Sequence, residues 1–218
     1  MRRAVGGLLL AISLWAQGVH PITGRKYAGV MGLGGADWLV RPEREQEEQP
    51  DLALDAIGIG VGSTVADIGA GVGFMTWRLA ERVGPRGKVY ADDIQPQMLA
   101  LLKRNMVQRK LSNVETVLGA VDDPKLPANA VDLVLLVDVY HEFSEPQAML
   151  RRIREALRKD GRLVLLEYRA EDPTVPIRPE HKMSVAQVKA ELEPEGYRLE
   201  RLSEALPRQH ILIFRKTP

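Results

Sequence analysis

The sequence predicts an α/β domain built on a doubly wound, seven-stranded sheet, mostly parallel with an antiparallel strand at its C-terminal end. Three observations carry this expectation. Short apolar runs alternate with helical patterns from Leu52 onward. The connections are short, and glycine or proline punctuates most joints. The last two runs, YRLERLSE and QHILIFRK, have no helix between them, which makes them an antiparallel pair.

The elements follow in order. Residues 1–18, MRRAVGGLLLAISLWAQG, carry two arginines, an apolar run, and small residues Ala16 and Gly18 at the spacing of a cleavage site. This is the pattern of a signal peptide, too short for a comfortable membrane span, and it predicts export to the periplasm or beyond. The alternative is a packed N-terminal helix on a cytoplasmic or membrane-proximal protein.

Residues 19–50 read as an N-terminal arm, a candidate lid through Tyr27, Trp38, Arg41 and Arg44. Trp38 is expected in the core. The run EREQEE reads as a solvated helical face. Residues 51–218 form the main domain, opening with a short helix that Gly58 ends.

STVADIG is the first strand and FMTWRLAERVG the first long helix, closed by Gly84. GKVYADD is the second strand, and Pro96 opens the helix PQMLALLKRNMVQRK. NVETVLG follows as a third strand, then the loop AVDDPKLPANA. VDLVLLVDVY is apolar enough to lie buried on both faces. EPQAMLRRIREALRKDG reads as a helix ending at Gly161, ahead of the strand GRLVLLEY. A proline-rich loop and the helix SVAQVKAELEPEG lead to the terminal pair.

Bulk composition excludes little but usefully. A formal net charge of +1 gives no electrostatic case for nucleic acid, and no basic patch is studded with aromatics. The absence of cysteine removes disulfides, thiolate metal sites and cysteine nucleophiles.

The chemistry concentrates at strand ends, where doubly wound sheets bind their ligands. VADIGAGVG falls short of the dinucleotide pattern G-x-G-x-x-G, because the third glycine position is Phe74. Asp67 matters more. A carboxylate at that strand tip sits poorly beside a pyrophosphate and well beside a cation. S-adenosylmethionine, with its ammonium and sulfonium, suits it. At the second strand's end, Asp92 and Asp93 stand where an acid can accept both ribose hydroxyls.

Together these residues resemble the class I S-adenosylmethionine-dependent methyltransferases, with their Rossmann-like sheet, from about Leu52 to Phe214. The whole chain, with HPITGR and ADWLVRPERE, resembles a bacterial group of such proteins with undefined substrate. The resemblance implies a cofactor site of Asp67, Gly69, Ala70, Gly71 and Gly73 from VADIGAGVG, with Asp93 and Ile94 from DIQPQML. Asp93 would hold the ribose, leaving Asp92 a neighbouring solvated charge. An acid in GAVDDPKLP, Asp122 or Asp123, would meet the adenine amino group. Asp138 closes the set at the end of the fourth strand.

Methyl transfer is an in-line displacement that chiefly needs alignment of donor and acceptor. A general base is needed only for an acceptor that carries a proton. Tyr140, His141 and Glu142 are the candidates, His141 for its ordinary pKa and Glu142 to orient it or act instead. His141 could equally shape the pocket and cap the next helix. Glu167, Tyr168 and Arg169 either face the same cleft or form a surface ion-pair cluster. A metal site from His141, His181 and His210 is imaginable, but no ligand spacing demands it, and no metal is expected.

The expected partner is a small-molecule acceptor, reached by elimination, with no nucleic acid and no stable membrane span in the mature chain. The fourth strand ends in DVYH, unlike the Asn/Asp-Pro-Pro-aromatic of base and glutamine methylases. Two other classes compete. A nicotinamide-dependent oxidoreductase is opposed by Asp67 and Phe74, and a non-catalytic cofactor-binding protein by the intact glycine motif.

Overall fold

The computed structural model describes residues 18–217. The leader reading therefore falls, apart from Gly18, outside the described residues. Among those residues, no helix is long and apolar enough to cross a membrane.

Two short helices, α1 (Glu43–Glu48) and α2 (Pro50–Ile57), precede the sheet. The alternation then runs β1 (Thr64–Ile68), α3 (Thr76–Val83), β2 (Lys88–Asp93), α4 (Pro96–Gln108), β3 (Val114–Leu118), β4 (Val131–Val137), α5 (Pro146–Ala156) and β5 (Leu157–Arg169). The two-residue β6 (Lys182–Met183), α6 (Val185–Leu192), β7 (Tyr197–Ser203) and β8 (Gln209–Lys216) complete it. The main path orders the strands β3-β2-β1-β4-β5-β8-β7, with β6 beside β5. Only β8 runs against its neighbours, slotted between β5 and β7. That is the inserted antiparallel strand the sequence predicts.

The period of two divides the strand residues between two cores. Val65, Leu133, Leu135 and Val164 face α2 and α3 through Leu54, Ile57, Leu79 and Val83. Ala66, Val134, Leu136 and Leu165 face α5 and α6 through Leu150, Ile153, Val188 and Leu192. Each fully buried Leu or Ile contributes about 1.5–3 kcal/mol against exposure. Helix starts follow local chemistry. Proline stands first in α2, α4 and α5, and Ser184 with Gln187 forms a capping box on α6.

Three elements differ from expectation. The helix read from Phe74 starts at Thr76, because the backbone of Gly73 is left-handed, at φ 91°. The helix read to Gly161 ends at Ala156, since Leu157 is fully buried and pairs with Val131 in the sheet. Gly161 serves the bulge that follows, where a Cβ would lie 3.0 Å from the Val131 carbonyl oxygen. EREQEE is not a solvated face: Arg44 and Glu48 are buried and paired at 2.8 Å, and Glu48 accepts the Tyr168 hydroxyl at 2.8 Å.

The arm is fastened to the domain. Arg25 meets Glu191 of α6 through two nitrogens, at 3.1 and 2.9 Å, and gives a third hydrogen bond to the His141 carbonyl at 2.8 Å. The amide of Ala28 donates to that same carbonyl at 3.0 Å. Trp38 is not core: it is 44% exposed, with the Arg41 guanidinium 3.6 Å from its ring centroid. Glu191 also accepts the Thr23 hydroxyl at 2.5 Å and has His20 Nε2 3.5 Å away, but Arg25 supplies its guanidinium counter-charge. Arg25→Ala is expected to lower unfolding stability by about 3 kcal/mol in urea titrations, because it removes that counter-charge from a buried carboxylate.

Candidate active site

A cavity of about 540 Å³ opens beyond the carboxyl ends of β1, β2 and β4, where the strand order reverses between β1 and β4. The loop after β1 forms its floor. Gly69 has φ 71°, and a Cβ there would lie 2.4 Å from Val139, so both conformation and space require glycine. The amide of Ala70 donates to the Asp92 carbonyl at 2.8 Å, and that of Gly71 to Asp93 Oδ2 at 2.9 Å. The first loop is thereby tied to the end of β2. Gly69, Ala70 and Gly71 line the cavity. Gly73 does not: it faces Leu102 and Met106 and lets α4 pack close.

Four carboxylates converge here. Asp67, at 2% exposure, accepts the Thr76 hydroxyl at 2.6 Å. Burial pushes its pKa up to about 7, against the pull of Thr76 and Arg44. Asp93 takes the amides of Gly71 and Gln95, the latter at 2.8 Å, and burial still raises it. Asp138 is half-buried in left-handed backbone at φ 52° and accepts Gln209 Nε2 at 2.8 Å. Its Oδ1 is shut off from solvent without a partner, and burial, then Glu48 and Glu167, hold it well above the carboxylate range.

Asp92 corrects an expectation. It is no solvated neighbour: it is 1% exposed and lines the cavity, and its Oδ2 has no partner. The register of β2 between β1 and β3 turns it inward against Gly119, where a Cβ would lie 2.1 Å from that oxygen. Burial, followed by Asp93 and Asp67, pushes its pKa up to about 8. Asp122 is exposed and Asp123 half-buried, and both stand outside the cavity, whose wall there is Ala120 and Val121. A tight turn is the reason. Ala120 and Asp123 pair through their backbones, and Asp123 Oδ1 is taken by the Lys125 amide at 2.7 Å.

The wall after β4 is a turn of 3₁₀ helix, Tyr140–Glu142. Glu167, fully buried at the end of β5, accepts the Tyr140 amide at 3.1 Å and holds His141 Nδ1 at 2.6 Å. It is therefore no member of a surface ion-pair cluster, and Tyr168 is buried with it. Burial works against a charged His141, yet Glu167 outweighs it and raises the pKa. His141 Nε2 lies 3.1 Å from His181 Nδ1, so both of its ring nitrogens are engaged. His181 itself is held below its ordinary value by burial and by His141. Glu142 lines the same wall, and burial pushes it up to about 7.

Tyr140 is a catalytic candidate that the fold places elsewhere: it is fully buried and does not line the cavity. His210 is also apart, held between Glu204 at 2.6 Å and Glu171 at 2.9 Å. Ile94 and Asp138 line the cavity, as do Met31, Trp38, Leu39 and Arg44 of the arm. Thr76 and Gln209, which hold two of the acids, carry no motif signal in the sequence.

Comparison with known proteins places this geometry among methyltransferases. Residues 59–203 match the model of a methyltransferase-domain family. The chain is 31% identical over 127 residues to a ubiquinone/menaquinone biosynthesis C-methyltransferase from Hahella chejuensis, over 58% of this chain and 50% of that protein. It is 34% identical over 112 residues to the nocamycin O-methyltransferase of Saccharothrix syringae, over 51% and 40% respectively. The match thus spans about half the length of these curated relatives. A crystal structure of an S-adenosylmethionine-dependent methyltransferase from Aquifex aeolicus superposes with TM-score 0.80 at 28% identity, covering 84% of this chain and 98% of that one.

The acids leave a thermodynamic signature. An acid whose pKa is raised by folding holds its proton in the native state and loses it in the unfolded one. Its stabilising contribution is full below the ordinary carboxylate pKa and declines as pH rises to the folded value. For Asp92 that window runs from the ordinary carboxylate value of 3.8 to about 8. Between pH 5 and 8, Asp92→Asn is expected to flatten the fall in stability of the ligand-free protein, by up to about 1.4 kcal/mol per pH unit. Denaturant titrations across that range measure it.

Proposed function

Because the chain belongs to the methyltransferase-domain family, whose model matches residues 59–203, we propose that it transfers the methyl group of S-adenosylmethionine to a small-molecule acceptor in this cavity. One observation carries the reading. The cavity gathers Asp67, Asp92, Asp93 and Asp138 with few protein cations near them, Arg44 being the one that pulls on both Asp67 and Asp138. A pyrophosphate would add negative charge to that cluster. A donor carrying an ammonium and a sulfonium neutralises it.

The residues divide the work. Asp67 takes the ammonium, while Gly69 and Gly71 let the methionine portion approach the backbone. Asp93 keeps lone pairs for the ribose hydroxyls, since each oxygen accepts one amide. Asp92, with its unpaired oxygen beside the adenine-side wall of Ala120 and Val121, replaces Asp122 and Asp123 as acceptor of the adenine amino group. Protonated, Asp92 could also donate. The acceptor lies against His181, Glu142 and Tyr168, roofed by Met31, Trp38 and Leu39 of the arm. Rate comes chiefly from holding the acceptor in line with the methyl–sulfur bond in a space sheltered from water.

The leader read in residues 1–18 supports export, which would put the enzyme apart from the usual supply of its donor. Edman sequencing of the mature protein is expected to begin near Val19.

Donor binding should carry the protonation of Asp67. A cation selects the ionised carboxylate, so affinity falls as pH drops below about 7. Calorimetry with S-adenosylmethionine is expected to show weakening approaching about tenfold per pH unit below that value. Asp67→Asn should bind about 10- to 100-fold more weakly at pH 8, with a shallower pH dependence. Equal binding by the parent and this variant would overturn the assignment of the ammonium.

A further inference from the structure

His141, His181 and Glu142 form a cluster on the acceptor wall that donor binding does not use. Each offers one ligand atom, and the three atoms lie within 4.8 Å of one another. The histidines come from distant segments, the turn after β4 and the loop before β6, and stand nearly perpendicular at 83°. His141 is oriented by Glu167, which sits 2.6 Å from Nδ1. With its proton directed there, neutral His141 presents the lone pair of Nε2 to His181 Nδ1, 3.1 Å away. The gap between the two nitrogens therefore holds a positive centre, either the proton of an ordinary His181 Nδ1–H···Nε2 hydrogen bond or an ion shared by both.

A proton can serve as that centre, but a proton has no use for a third group. Glu142 is that third group, and it lines the same cavity. It also stands near the carboxylates of Glu167 and Asp93. Of the arginines that act on these histidines, Arg25 is committed to Glu191 and to the His141 carbonyl, and Arg178 is largely exposed at the cavity edge beside Glu180.

We propose that His141 Nε2, His181 Nδ1 and the Glu142 carboxylate bind a divalent first-row metal ion, with Glu167 as the outer partner that fixes His141. The spacing supports it. An ion about 2.1 Å from each nitrogen sees the observed 3.1 Å separation at about 95°, closer to an octahedral than a tetrahedral angle. A carboxylate holding the far nitrogen of a metal-bound histidine is the usual supporting arrangement. Ligands on one octahedral ion lie at most about 4.2 Å apart, so Glu142 has a short swing to make. Two histidines and one carboxylate leave three positions open, enough for an acceptor with one or two oxygen donors. That last assignment rests on the transferase reading; ion binding itself does not.

The test uses the full chain, stripped with a chelator and dialysed. Equilibrium dialysis with Mn²⁺ is expected to give one ion per chain, and Co²⁺ a weak visible band of octahedral type. His181→Ala and Glu142→Gln should each weaken Mn²⁺ binding by at least the 10- to 100-fold that loss of an outer partner costs. Calorimetry with S-adenosylhomocysteine, which lacks the sulfonium charge and touches neither residue, should change far less than Mn²⁺ binding in both variants. No stoichiometric ion on the parent protein, or equal ion binding by parent and both variants, would overturn the site. Loss of S-adenosylhomocysteine binding by the parent protein would instead count against the transferase reading and leave the metal result to stand alone.

Discussion

Burial of like charge at the strand ends is the constraint on which this structure turns. Asp67, Asp92 and Asp93 are each less than 10% exposed, and Asp138 joins them across the reversal in strand order. Carboxylates this close cannot all ionise without a counter-charge. The protein supplies part of the answer. Thr76, the amides of Gly71 and Gln95, and the Gln209 amide each give one hydrogen bond. Those bonds satisfy oxygens without cancelling charge. What is left over, two shielded oxygens on Asp92 and Asp138, is a demand for a positively charged or hydrogen-bonding ligand.

The arm follows from the same constraint. Arg44 reaches Asp67 and Asp138 electrostatically from α1, outside the sheet domain. It stays buried because Glu48 pairs with it, its guanidinium lies 4.1 Å from the Phe74 ring centroid, and the Leu39 carbonyl takes another hydrogen bond at 2.8 Å. Glu48 in turn holds Tyr168 at the end of β5. The chain from arm to sheet is thus continuous, and the cavity gains its roof and a cation from one segment. Phe74, which breaks the dinucleotide glycine pattern in the sequence, is the surface on which Arg44 rests. A third glycine there would remove that support.

The sheet was legible because its strands announce themselves locally. VDLVLLV is apolar on both faces, and GKVYADD and STVADIG end in the acids that mark the cavity. The glycine loop and Asp67 could be read for the same reason, since spacing within one turn is a local property. What sequence could not supply was the neighbour across the gap. Asp92 and Asp93 are adjacent in the chain, and only the packing of Gly119 beside β2 makes the first as buried as the second. EREQEE has the composition of a wet helix until Phe74 and Tyr168 cover two of its members. Asp122 and Asp123 sit in a loop of the right kind, but the backbone pairing of Ala120 with Asp123 turns their side chains away from the cavity.

The two ends of the cavity then pose one problem with different answers. At the donor end the acids outnumber their cations and wait for charge that arrives with the ligand. At the acceptor end Glu142 and Glu167 face two imidazoles, groups that become positive only by gaining a proton or that can share a metal ion. The donor acids Asp67, Asp92 and Asp93 are fixed at strand termini, while Glu142 and His181 stand on short turns beside them. The shared wall matters here, because Glu142 feels Asp93 as well as Glu167. A cation bound at one end lowers the cost of ionised carboxylates at the other. By the reciprocity of linked equilibria, a cation on the acceptor wall that alters the affinity for a positively charged donor has its own affinity altered by the donor in equal measure.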